Sequence, residues 1–66
     1  MKAEGIVSEA LPNAQFKILL DSGITVRCYL AGKIIINKIK IIVGDRVIIE
    51  LPPRSEIGRI TFRKLR

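Results

Sequence analysis

The sequence predicts an all-β domain: five short strands closed into a Greek-key barrel, with a short helical turn between the third and fourth strands. Three observations carry that expectation. Turn signals recur at short intervals, at "LPN" (11–13), "DSG" (21–23), "AG" (31–32), "VGD" (43–45) and "PP" (52–53). The stretches between them are rich in Ile, Val, Thr, Phe and Leu and run to about six residues, the composition and length of strands. Inside these stretches apolar and polar residues alternate with a period of two, the mark of a strand buried on one face only.

The first strand, Glu4 to Ala10, is the least regular. Ile6 and Val7 compete for the inside, and Gly5 marks either a bulge or a close approach of neighbouring backbone. Pro12 then fixes φ at a turn position. In the second strand Phe16, Ile18 and Leu20 face inward with Lys17 opposed. After a turn at Gly23, the third strand runs from Ile24 to Leu30. Ile24, Val26, Cys28 and Leu30 share its inner face, and Thr25, Arg27 and Tyr29 its outer one. In the fourth strand Val47, Ile49 and Leu51 oppose Arg46 and Glu50. In the fifth, Ile60 and Phe62 face inward against Arg59, Thr61 and Arg63.

Within "GKIIINKIKIIVGDRV" (32–47), the segment Lys33–Lys38 is too long for a hairpin turn. Ile35, Ile39 and Ile42 fall on one helical face, whereas Lys38-Ile39-Lys40-Ile41 alternates as a strand would. The expected arrangement is a helical turn near residues 33–38 that caps the barrel mouth, followed by an extended lead into Gly44. Three strands, a connecting segment and two further strands make the layout of the OB-fold, whose closure protects strand edges.

Composition narrows the function. Sixty-six residues, read as one domain over 1–66, lie near the lower limit for a chain that folds without staples. Cys28 is the single cysteine and histidine is absent, so neither an internal disulfide nor a spaced zinc site is expected. Stability must come from an apolar core, which 48% hydrophobic residues can supply. Apolar runs such as Ile34–Ile36 and Ile41–Val43 are far too short to span a bilayer. The first ten residues lack the apolar stretch of a signal peptide, so an intracellular, reducing compartment is expected.

Twelve Lys and Arg against six Asp and Glu give a net charge of +6. That imbalance points to a polyanionic partner, most often nucleic acid. The cations also fall where such a partner could reach them. Lys17, Arg27, Arg46, Arg59 and Arg63 occupy outward strand positions, and Lys33, Lys38 and Lys40 flank the connection. Catalysis is not expected: there is no histidine base, Ser8, Ser22 and Ser55 have no evident activating partner, and no cofactor motif is present. Phe16 and Phe62 read as core, which leaves Tyr29 as the outward aromatic. That is poor equipment for stacking a run of bases, so folded RNA fits better than an unstructured strand. Two alternatives stay open. One is a cold-shock-like single-stranded RNA chaperone; the other is a structural barrel that meets a protein through Ile34–Ile36.

Along nearly its whole length the chain resembles the bacterial-type translation initiation factor 1 family. The resemblance is carried by "EGIVSEALPNAQFKILLDSG", "LAGK", Asn37 with Ile39 and Ile41, "GDRVIIEL" and "GRITFR", in that order. It implies an OB barrel that binds rRNA of the small ribosomal subunit at the decoding (A) site. There it would block premature tRNA entry and assist the other initiation factors. The implied partners are that rRNA, neighbouring ribosomal proteins and those factors; the implied protein is a monomer without cofactor or membrane attachment. Its implied location is the cytoplasm of a bacterium or virus-infected bacterial cell, or a plastid stroma. By position the family's basic RNA-facing residues match Lys17, Lys33, Lys40, Arg46, Arg59 and Arg63, and Tyr29 stands where many members carry an exposed histidine. With Arg27 and Lys38 from the outward pattern, these form the candidate rRNA-binding set. The chain departs from the family at Ile34–Ile36, where basic residues are usual, at Lys38, where an aromatic is usual, and in the short final loop "PPRSEI".

Overall fold

The computed structural model describes residues 1–36, 38–53 and 57–64, with the backbone alone at Lys33. Its strands are β1 (Lys2–Leu11), β2 (Gln15–Leu20), β3 (Thr25–Leu30), β4 (Arg46–Glu50) and β5 (Ile57–Lys64), and one short helix, α1 (Gly32–Ile36), follows β3. The strands close into a barrel in the order β1-β2-β3-β5-β4, with β4 returning to β1. All neighbours are antiparallel except β3 and β5, which run parallel. This is the five-stranded OB architecture that the spacing of turns and strands predicts. No helix among the described residues is long and apolar enough to cross a membrane.

Alternation decides the core. Val7, Ile18, Cys28, Val47, Ile49 and Ile60 are essentially inaccessible at the barrel centre. Val7 therefore takes the inside and Ile6, 38% exposed, the outside. Gly5 is a site of close approach: a Cβ there would lie 2.4 Å from the Leu19 carbonyl oxygen. The connection closes one end. Ile34 of α1 and Ile41 beyond it are buried, while Ile35 and Ile36 face solvent. The helix thus inserts a single isoleucine, since one turn can aim only one side chain straight down. At the far end of the connection Asp45 shapes the turn into β4, accepting the Ile42 N–H on Oδ2 at 3.0 Å.

Two bulges modify the period-two pattern. In β1 the register passes from Val7↔Ile18 to Glu9↔Lys17, which makes Ser8 the extra residue. In β5 it passes from Ile49↔Ile60 to Ile48↔Phe62, which makes Thr61 extra. At each bulge the hydroxyl donates to a partner-strand carbonyl: Ser8 Oγ to Lys17 at 3.1 Å, and Thr61 Oγ1 to Ile48 at 3.3 Å.

The second bulge overturns the expected facing at the end of β5. Ile60 and Thr61 are both buried, so Phe62 turns outward and is 52% exposed rather than part of the core. Arg63 correspondingly takes the phase of its buried partner Val47. An unbroken alternation in the sequence hides this, because the extra residue falls within it. A smaller correction concerns Ile24. It precedes β3 and is 61% exposed, since the turn after Leu20 extends through it: the Leu20 N–H donates to the Ile24 carbonyl.

Candidate nucleic-acid interface

Strand register brings four of the nine candidate residues onto one outer face. Lys17 of β2 lies directly opposite Arg27 of β3. One rung along, Gln15 opposes Tyr29, which in turn pairs with Arg59 of β5. The face therefore carries Lys17, Arg27, Tyr29 and Arg59 in two adjacent rungs. Directly opposed like charges, such as Lys17 and Arg27, are destabilising. A bound anion relieves that repulsion, so the pair favours a polyanion on this face. Lys17 is partly offset by Glu9 at 3.7 Å and Arg59 by Glu50 at 2.9 Å. Both ion pairs are half exposed, and pairs of that kind contribute little. Among the described residues Arg27 has no carboxylate partner.

The connection holds a second group. Lys38 (φ 55°) and Lys40 are exposed, and neither forms an ion pair among the described residues. Arg63 belongs here through its guanidinium, which donates to the Lys40 carbonyl at 2.9 Å and ties the connection to β5. The Lys33 backbone lies in α1; its side chain, together with Asn37 and residues 54–56 of the "PPRSEI" loop, lies outside the described residues.

Arg46 stands apart. It sits on β4, which neighbours neither β2 nor β3. Its Nη1 is 2.9 Å from Glu4 Oε2 and 3.1 Å from Asp21 Oδ1, and Lys64 Nζ is 3.4 Å from the same Glu4 oxygen. The hydrogen bonds it donates to Glu4 and then to Asp21 raise the guanidinium pKa further above its already high range. Two cations and two carboxylates balance within this network, so Arg46 serves to join β1, β4 and the β2–β3 turn.

The acids explain where the charge is left over. Glu4, Glu9, Asp21 and Glu50 are all engaged with cations, and Asp45 is turned in on its own turn. The surplus positive charge rests with groups such as Arg27, Lys38 and Lys40. Phe62 and Lys64, outside the sequence-predicted set, also reach the outer surface. Lys64 is visible in the sequence as a cation; Phe62 carries no such signal.

A model of the family described as translation initiation factor 1A / IF-1 matches residues 1–66. The chain belongs to this family. Among solved structures, the solution structure of translation initiation factor 1 from the Wolbachia endosymbiont strain TRS of Brugia malayi is 38% identical, with a TM-score of 0.82. That match covers 100% of this chain and 78% of the other. YjeQ from Thermotoga maritima is similar over 100% of this chain at 30% identity and a TM-score of 0.84, but over only 23% of its own length. The resemblance in the sequence thus points to the same family, and the barrel is consistent with it.

Proposed function

We propose that the protein is a translation initiation factor that binds the small ribosomal subunit at the decoding (A) site through rRNA. It acts by occupancy: it blocks premature tRNA entry and assists the other initiation factors without catalysing a reaction. In this reading Lys17, Arg27, Tyr29 and Arg59 meet RNA across the β2–β3–β5 face, and Lys33, Lys38 and Lys40 reach it from the connection. Arg46 and Arg63 contribute chiefly by holding the barrel and the connection in place. Ribosomal proteins beside the site complete the contact, and the protein works as a cytoplasmic monomer.

The observation that carries the proposal is the opposed Lys17–Arg27 pair beside Tyr29, on a protein whose described carboxylates are already engaged. Phosphates supply the charge that this face lacks, and Arg offers them a planar fork of donors. One observation favours a second reading. Tyr29 and Phe62 are both about half exposed, at 45% and 52%, which suits a single-stranded RNA chaperone.

Binding of labelled protein to small subunits, large subunits and unstructured RNA separates the two. Saturable binding far tighter to small subunits than to large subunits or unstructured RNA is the expected result. Equal affinity for any single strand would replace the initiation-factor reading with the chaperone.

A further inference from the structure

Phe62 faces solvent because Thr61 is an extra residue in β5. The outer face of the β4–β5 pair has three rungs. Arg59 faces Glu50, Phe62 faces Ile48, and Lys64 faces Arg46. An aromatic ring therefore lies between two cations along one strand, with a half-buried isoleucine beside it. Both cations are paired, Arg59 with Glu50 at 2.9 Å and Lys64 with Glu4 at 3.4 Å. The four groups are between 32% and 46% exposed, so water screens both pairs, and a phosphate can displace the carboxylates.

We infer that Phe62 is a stacking platform for one unpaired RNA base, with Arg59 and Lys64 taking the flanking phosphates. The inference rests on the RNA-binding part of the proposed function and adds a recognition residue to it. Two features favour a base over a protein side chain: cations border Phe62 along β5, and the protein carries +6 overall. Aromatic rings accept any base by its π-face, and bases splayed out of folded RNA are commonly held this way. Because β5 also carries Arg59 toward Tyr29, the platform continues the β2–β3–β5 face.

The test uses the full chain, with Phe62→Leu to keep apolar bulk without a ring and Phe62→Tyr to keep the ring. Thermal melts verify that both fold. The ligands are labelled octa-adenylate, an abasic ribose-phosphate octamer of equal charge, and isolated small ribosomal subunits. The protein should prefer octa-adenylate to the abasic octamer by roughly five- to 150-fold, the range for one base–aromatic stack. Phe62→Leu should cut that preference at least several-fold and weaken subunit binding over a similar range, while Phe62→Tyr retains both. The inference is overturned if the unaltered protein does not discriminate the octamers, or if Phe62→Leu discriminates them as well as before. It is also overturned if Phe62→Leu weakens subunit binding alone, which assigns the ring to a protein contact. Octamer discrimination without any small-subunit binding would support the stack and sink the initiation-factor reading.

Discussion

The Thr61 hydroxyl donates to the Ile48 carbonyl at 3.3 Å, and the bulge that this bond closes sets the facing of every later residue in β5. Removing the hydroxyl while keeping the shape, as in Thr61→Val, takes one donor from a part-buried carbonyl. Urea unfolding should show a loss of about 1 kcal/mol. A variant as stable as the parent would mean that backbone geometry alone holds the bulge.

Gly5 and Gly32 should respond in opposite ways to alanine. A Cβ at Gly5 meets backbone, 2.4 Å from the Leu19 oxygen and 2.8 Å from the Leu20 Cα, neither of which can rotate away. Gly5→Ala should lose about 3 kcal/mol, at the upper end of typical overpacking effects. At Gly32 a Cβ meets nothing within 4 Å and the residue opens α1. Gly32→Ala should be neutral or stabilising by up to about 1 kcal/mol. Denaturant midpoints of the pair check the contrast.

Much of this was legible in the sequence. The Pro and Gly turn marks together with the period-two runs define five strands and the barrel, and the outward positions of Lys17, Arg27 and Tyr29 follow from alternation alone. Two things were not legible. A bulge inserted within a regular alternation, as at Thr61, leaves no trace in the pattern, so Phe62 read as core. Pairing across strands distant in sequence was equally hidden. Nothing local says that Arg46 meets Glu4, 42 positions away, in an ion network.

The isoleucines of the connection divide sharply. Ile34 is 1% exposed and Ile36 is 78% exposed. Ile34→Ala should destabilise by about 2–5 kcal/mol, as a cavity at the barrel end requires. Ile36→Ala should change stability by no more than about 0.5 kcal/mol. Similar losses at both would show that the helix packs differently.

Cys28 gives the fold an alkaline limit. Burial raises its pKa from 9.0 to about 11, against a smaller lowering by a hydrogen bond from the Gly58 backbone. A thiol with a raised pKa stays protonated in the folded state while the unfolded chain ionises. Its contribution is therefore fully present below pH 9 and lost as pH rises from 9 toward 11. Summed over that window the loss is about 3 kcal/mol. Unfolding free energies across the window should fall for the parent and lose this component in Cys28→Ala.

In the proposed function, cations left unpaired in the fold bind rRNA phosphates. The direct measurement is small-subunit affinity over a salt series for the parent and for a variant with Arg27, Lys38 and Lys40 all changed to Gln. If each makes one contact, the slope of log affinity against log salt should become shallower by about two to three, from roughly 0.7–0.9 per contact. Affinity at low salt should fall with it. An unchanged slope and affinity in a folded variant would show that the surplus charge plays no part in binding.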